Sequence, residues 1–239
     1  MKLSKKTYLI IGICLILYLL ISAPVLLYWN QGKSISTGAV SNGAIGNAYK
    51  FNLYGKNYSY FSYLSYFNLG MCFTNNQVYQ SLIDCFKELE TKAAGRHFYV
   101  MELSRKKGGK TILHATHRNG LSADIMVPKK FKKGGPTYLF DHLGLWHYLL
   151  EFDKEGSLKI APFVQIDFEA LASFIHELNL SCQKNKLIIQ RIIIRHEIKD
   201  NLNQTKLAPK IMRFIQSYPN NKFVNSMHDD HIHIDFRTI

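Results

Sequence analysis

Cysteine is scarce in this sequence, and what there is does not pair up. Of four cysteines, Cys14 lies in an apolar N-terminal run, leaving Cys72, Cys85 and Cys182. Three thiols leave one odd, so a disulfide framework is not indicated, although Cys72 and Cys85 could pair in an oxidising compartment. No Cys-x-x-Cys is present, which argues against a thiolate-held zinc site. No serine or cysteine stands in a Gly-x-Ser-x-Gly or comparable setting, so a covalent nucleophile is not indicated. Internal repeats are absent, and so is regular βαβ alternation. Acidic residues are few, 17 against 30 lysines and arginines, giving a net charge of +13 over 239 residues. Such an excess suits an anionic partner: nucleic acid, acidic lipid or an acidic polymer. The basic residues are scattered apart from Arg105–Lys107 with Lys110 and Lys129-Lys130 with Lys132-Lys133, which flank residues 114–124 on both sides.

What the sequence does have begins with an uncharged stretch. Residues 7–32 carry no charge, and the apolar run Tyr8–Trp29 follows Lys2, Lys5 and Lys6. As a helix at ~1.5 Å per residue it would span ~33 Å, against a hydrocarbon core of ~30 Å. A cleaved signal peptide normally has a shorter apolar region that ends at a small-x-small site. Here Ser22-Ala-Pro24 is followed by Val25-Leu-Leu-Tyr-Trp29, so residues 1–30 are expected to form an uncleaved, single-pass signal-anchor. The basic flank places its N-terminus in the cytoplasm and the remaining chain outside it. Cleavage would instead release an exported soluble form.

Residues 31–70, rich in Gly, Ser, Asn and Tyr, read as a linker that becomes an irregular covering segment. Residues 71–239 are expected to form the folded domain. Val78, Leu82, Cys85 and Leu89 recur at helical spacing between Asn76 and Lys92. His97–Leu103 and Ser122–Val127 read as strands, and Tyr138–Phe152 as a helix. Asp167 can cap a helix carrying Phe168, Leu171, Ile175 and Leu178 on one face. Leu187–Ile194 is a β-branched central strand. Lys206–Tyr218 reads as a basic helix with Pro209 in its first turn, and His231–Phe236 as the last strand. The mixture predicts an α+β fold, a mainly antiparallel central sheet with flanking helices behind one N-terminal transmembrane helix.

Two short clusters carry the chemistry. Five of the ten histidines fall in His114-Ala-Thr-His117-Arg-Asn-Gly120-Leu-Ser-Ala-Asp124 and His228-Asp-Asp-His231-Ile-His233. Neither cluster can complete a metal site alone. A catalytic zinc site uses three protein ligands and leaves a position for water. Asn119-Gly120 supplies a turn that lets His117 project from a loop and Asp124 from the strand after it. On the terminal strand His231 and His233 share one face while Ile232 and Ile234 point into the core. One of the two histidines can bind metal while the other transfers a proton; the residues alone do not decide which. Asp141, His142 and His147 are further polar candidates, for which a surface or helix role is expected.

At these residues the sequence resembles the penicillin-insensitive murein endopeptidases, within the wider group of lysostaphin-type peptidases, D-Ala-D-Ala peptidases and the hedgehog signalling domain. The group is marked by His-x6-Asp and a terminal His-x-His, here His117–Asp124 and His231-Ile-His233. The resemblance spans roughly residues 34–239, strongly at the motifs and loosely elsewhere. Asp235 stands after the His-x-His where such proteins more usually carry a basic residue. The resemblance implies one zinc ion held by His117, Asp124 and His233, with His231 as general base. His228 would lie in or beside the site, and His114 would bind a second metal or orient a ligand. It also implies peptidoglycan peptide stems as substrate, outside the cytoplasm, with no nucleic-acid partner. A D-Ala carboxypeptidase of the same group is the near variant. Two readings from other classes are a non-catalytic cell-wall-binding module and an iron(II) oxygen-chemistry site, the latter usually built on His-x-Asp.

Overall fold

A computed structural model describes residues 4–111, 114–135 and 137–239. Lys2, part of the expected basic flank, lies outside them. The first element is helix α1, Lys5–Leu26, which Ser4 caps by accepting from the Thr7 N–H at 3.1 Å. It is long and apolar enough to cross a membrane, and most of its apolar side chains are exposed. Its last turn rests on the rest of the chain. Ser22 and Val25 are buried, the Lys50 ammonium donates to the Val25 carbonyl at 2.8 Å, and the Tyr28 hydroxyl donates to the Ala48 carbonyl at 2.6 Å.

The central sheet has six strands: β1 (Tyr58–Tyr60), β2 (Phe98–Val100), β3 (Ser122–Met126), β4 (Leu187–Ile193), β5 (Ile215–Gln216) and β6 (His231–Thr238). Their spatial order is β5-β4-β6-β3-β2-β1. The four inner strands are antiparallel, as the sequence led us to expect, but β1 runs parallel to β2 and β5 parallel to β4. The sheet is therefore of mixed orientation. The cause is the length of the connections: parallel neighbours need a crossover of a dozen or more residues. Helix α2 (Asn76–Lys92) lies between β1 and β2, and short helices over His196–Asn203 and Ala208–Ile211 lie between β4 and β5.

Helix α2 has the expected bounds and helix α3 (Phe168–Lys184) the expected cap, because each joins a polar cap to an apolar stripe, although Phe168 of the expected stripe is only half-buried. Asn75 accepts from the Gln77 N–H at 2.8 Å and Asp167 from the Ala170 N–H at 3.4 Å. Val78, Leu82, Cys85 and Leu89 of α2 are fully buried, as are Leu171, Phe174, Ile175 and Leu178 of α3. The two helices pack on each other and cover the sheet face formed by Ala123, Ile125, Ile232, Ile234 and Phe236, all within the core.

Other expectations are corrected. Residues 31–70 are more regular than a linker: Ile35–Ala39 and Asn42–Gly46 form a hairpin, and β1 belongs to the central sheet. The strand expected over His97–Leu103 is confined to β2. The stretch Tyr138–Phe152 is not one helix but a turn of helix over Tyr138–Asp141 and a 3-10 segment over Gly144–Leu149, broken where Gly144 takes φ +57°. Within Lys206–Tyr218 the helix stops at Ile211 and the chain ends as edge strand β5, where β-branched Ile215 pairs with Ile192. Cys72 and Cys85 are both free, buried thiols, so the disulfide does not form.

Candidate metal centre

Alternation along two neighbouring strands builds one polar face opposite the core. In the β3–β6 ladder Ser122 faces Asp235, Asp124 faces His233, and Met126 faces His231. The odd-numbered side chains of β6 therefore share a layer with the even-numbered ones of β3, and Ile232 and Ile234 anchor the strand from behind.

The loop before β3 delivers His117 to the same face. His117 takes φ +64°, a left-handed conformation that L-residues other than glycine adopt at a cost. Four hydrogen bonds hold it there. The Ser104 hydroxyl donates to the His117 carbonyl and accepts from the Gly120 N–H, the latter at 2.9 Å. The Arg118 N–H donates to the Val40 carbonyl at 3.0 Å, and the Arg118 carbonyl accepts from Gly109 N–H at 2.9 Å. The hairpin and Gly108-Gly109 thus brace the turn.

The result is a convergence of lone pairs. His117 Nε2 lies 3.2 Å from Asp124 Oδ2 and 3.2 Å from His233 Nδ1, and His233 Nδ1 lies 2.8 Å from Asp124 Oδ1. Donors at ~2.0–2.1 Å around a tetrahedral ion stand roughly 3.3 Å apart; the two 3.2 Å spacings at His117 match that, while the 2.8 Å contact of His233 with Asp124 is a hydrogen bond. His114, His117 and Asp124 offer ligand atoms that all lie within 4.8 Å of one another, a group that can hold a metal ion. Asp124 Oδ2 is buried with no hydrogen-bond partner among the described residues although two imidazoles face it, an orphaned acceptor that a metal ion could satisfy. Burial pushes the Asp124 carboxyl up, but His117 and His233 outweigh it and hold the group ionised, well below the usual range. Burial lowers His117, keeping its imidazole neutral and able to ligate.

Two of the imidazoles, His233 and His114, are aimed by a carboxylate behind them, whereas His117 Nδ1 is buried with no partner among the described residues. His233 Nε2 faces Asp235 Oδ1 at 2.8 Å, which directs Nδ1 toward Asp124. Asp235 is itself held by the Ser122 hydroxyl and the Arg191 guanidinium, each at 2.7 Å. Burial alone would lower His233; Asp124 and Asp235 outweigh it and raise its pKa to about 9, so the imidazole donates to both carboxylates as a cation and must lose its Nδ1 proton to ligate a metal. His114 Nε2 lies 2.6 Å from Glu102 Oε2, with Nδ1 3.7 Å from Asp124 Oδ2.

His231 stands apart from the ligand triangle, at the end of a buried chain. Lys129 Nζ meets His147 Nε2 at 2.9 Å, His147 Nδ1 meets Asp230 Oδ2 at 2.6 Å, and Asp230 Oδ1 meets His231 Nδ1 at 2.7 Å. Burial and then the Lys129 ammonium lower His147 to about 4, so it is neutral. Its Nε2 then accepts from Lys129 and its Nδ1–H donates to Asp230. Asp230 also accepts from His231 Nδ1–H, which leaves His231 Nε2 without a hydrogen-bond partner among the described residues. Burial disfavours the His231 cation, but Asp230 outweighs it and raises the imidazole's pKa.

His228, His231, His233 and His114 line one cavity of about 180 Å³, with Phe223 exposed beside it. His228 donates from Nδ1 to the Val224 carbonyl at 2.6 Å, and burial with His231 nearby lowers it to about 4. All six expected histidine and aspartate positions thus come together, though His228 and His231 are cavity residues rather than members of the triangle.

Sequence reasoning missed four contributors. Glu102, Asp230 and Lys129 are buried charges with specific partners. His147, expected in a surface or helix role, is wholly buried. Glu102 was legible as a lone carboxylate inside Val100-Met-Glu-Leu103. Asp141 bonds the Lys129 ammonium at 2.8 Å, while His142 is exposed and donates to the Tyr138 carbonyl at 2.7 Å. The Tyr148 hydroxyl is buried with no partner among the described residues, and its ring stands edge-on to His231. No protein-family model matches this chain, and no curated protein does.

Proposed function

We propose that the chain is a membrane-anchored zinc endopeptidase that hydrolyses the peptide cross-links of peptidoglycan. The observation that carries the reading is the convergence of His117 Nε2, Asp124 and His233 Nδ1 beside a histidine whose Nε2 has no hydrogen-bond partner among the described residues. Zinc bound by those three residues would lower the pKa of a bound water to ~7 and polarise a carbonyl. His231 Nε2 takes the proton of the attacking water and returns it to the leaving amine. Asp230 keeps that imidazole in the Nδ1–H tautomer and steadies its cation, the role a buried carboxylate plays beside a general-base histidine. Burial, with Glu102, Asp124 and Asp230 nearby, raises the Tyr148 phenol far above its usual range, so it remains an O–H donor for charge developing on the substrate oxygen. His228, neutral, offers an acceptor to the substrate. The anionic character of peptidoglycan agrees with the net charge of +13, and its place outside the cytoplasm agrees with a domain carried on the far side of α1.

The test is digestion of cross-linked muropeptide dimers by the full chain in detergent, with and without a chelator, read by mass. Release of monomers that needs metal and is lost in His231→Ala supports the reading. Loss of a single terminal D-alanine identifies the carboxypeptidase variant instead. Intact dimers after incubation with folded, metal-loaded protein overturn the hydrolase.

A further inference from the structure

A second cavity, about 560 Å³, opens where α1 meets the domain, away from the metal centre. Its lining runs from Leu20 on α1 and Leu27 just past its end to Trp29, Lys106 and Lys107, and contains no Asp or Glu. Leu20 to Leu27 covers roughly 10 Å of helix axis at ~1.5 Å per residue, about the depth of a headgroup region plus the first acyl carbons. Leu20, Leu27 and Trp29 are 65%, 76% and 75% exposed, an apolar wall at the height where interfacial aromatics sit.

The charges on the other wall are unneutralised. The lysine ion pairs among the described residues involve Lys56, Lys129, Lys130, Lys154 and Lys159, and neither Lys106 nor Lys107. Lys106 Nζ lies 4.5 Å from the Tyr28 ring centroid, a contact that holds the ammonium at the cavity and leaves its donors free. Lys50 occupies the Val25 carbonyl, so the negative end of α1 does not cancel the field. An ammonium held over an apolar wall, with a second lysine in the same lining, matches a phosphodiester joined to acyl chains.

We propose that this cavity is a binding site for an anionic phospholipid, with the phosphate at Lys106 and Lys107 and the chains along Leu20 and Leu27. It rests on α1 lying in a bilayer and is independent of the hydrolase reading. The ligand chemistry, a phosphate anion, is shared with free phosphate; the apolar wall favours the lipid.

The experiment reconstitutes the full chain in nanodiscs of phosphatidylcholine with phosphatidylglycerol and counts the lipids retained on release by native mass spectrometry. Phosphatidylglycerol is expected to be retained selectively, and Lys106→Ala with Lys107→Ala to cut that retention about tenfold, as loss of charge-assisted contacts implies. Gly46→Leu offers a charge-neutral check. A Cβ there meets only the Ile35 carbonyl oxygen, at 3.9 Å, so the side chain can fill the cavity without forcing the backbone. It should reduce retention while preserving the melting temperature. Equal retention of the two lipids overturns the proposal. So does an equal loss in Lys132→Ala with Lys133→Ala, which would make the effect one of bulk charge, or full displacement of the lipid by millimolar inorganic phosphate.

Discussion

Asp124 and His233 are direct partners across two antiparallel strands, and their side chains meet at 2.8 Å on the face away from the core. Two residues of the candidate metal centre are therefore fixed by the sheet ladder, and the loop before β3 brings His117 to them. His233 is in turn aimed by Asp235, two residues on along the same strand. Asp235→Asn keeps the shape and removes the charge behind the imidazole. Metal affinity is expected to fall about 10–100-fold, read by chelator competition, and further in His233→Ala. Unchanged affinity in Asp235→Asn would mean that His233 is not a ligand.

The Asp230–His231 contact yields a separate expectation. Asp230→Asn should leave bound metal unchanged, since Asp230 touches none of His117, Asp124 or His233 among the hydrogen bonds found. It should lower kcat by roughly 10²–10⁴-fold while KM moves little, because the imidazole loses its fixed tautomer and the support of its cation. Metal content by elemental analysis and steady-state kinetics on a cross-linked muropeptide separate the two effects. A KM effect with intact kcat would assign Asp230 to substrate binding.

The residues legible in advance were those fixed by period and spacing. Period-two alternation in His231-Ile-His233 put both histidines on one face, and the Asn119-Gly120 turn placed Asp124 on a strand behind His117. Helices α2 and α3 were legible because each joins a polar cap to an apolar stripe. What escaped depends on distant pairing. His147 becomes a buried link only because a 3-10 turn sets it against Asp230, 83 residues away, and Lys129 beside it. Edge strands β1 and β5 have two or three residues each, too few for alternation to register. Asp235, which departs from the usual basic residue, finds its reason in Arg191 and Ser122 on the neighbouring strands.

His147 also makes stability depend on pH. Its folded pKa of about 4 lies below the ordinary value of 6.5, mainly through burial. Between those values the unfolded chain binds more protons than the folded one, so stability is full above about pH 6.5 and falls as the pH drops toward 4. His147→Gln can accept from Lys129 and donate to Asp230 without titrating. Chemical denaturation from pH 7 to 4 should show a shallower decline in the variant. The same slope in both proteins would remove His147 as its source.

Gly120 carries the turn between His117 and Asp124, two candidate metal ligands, with φ +78°. Its carbonyl accepts from the Thr74 hydroxyl and from the Asn75 N–H, both at 2.9 Å. A Cβ added there would stand 2.4 Å from Ile45 Cδ1 and 3.0 Å from Asn75 N. The first neighbour can move, being the end of a side chain; the second is backbone at the start of α2 and cannot move without disturbing its cap. Gly120→Ala should therefore cost about 1–3 kcal/mol, a fall in Tm of roughly 2–4 °C for each kcal/mol at this size, and should weaken metal binding by shifting His117 against Asp124. Adding Ile45→Val removes the methyl in the way but not the backbone strain, so it should recover only part of the loss once its own cost is subtracted. Full recovery in that double-mutant cycle would locate the whole penalty in the Ile45 contact and leave the left-handed turn without an energetic role.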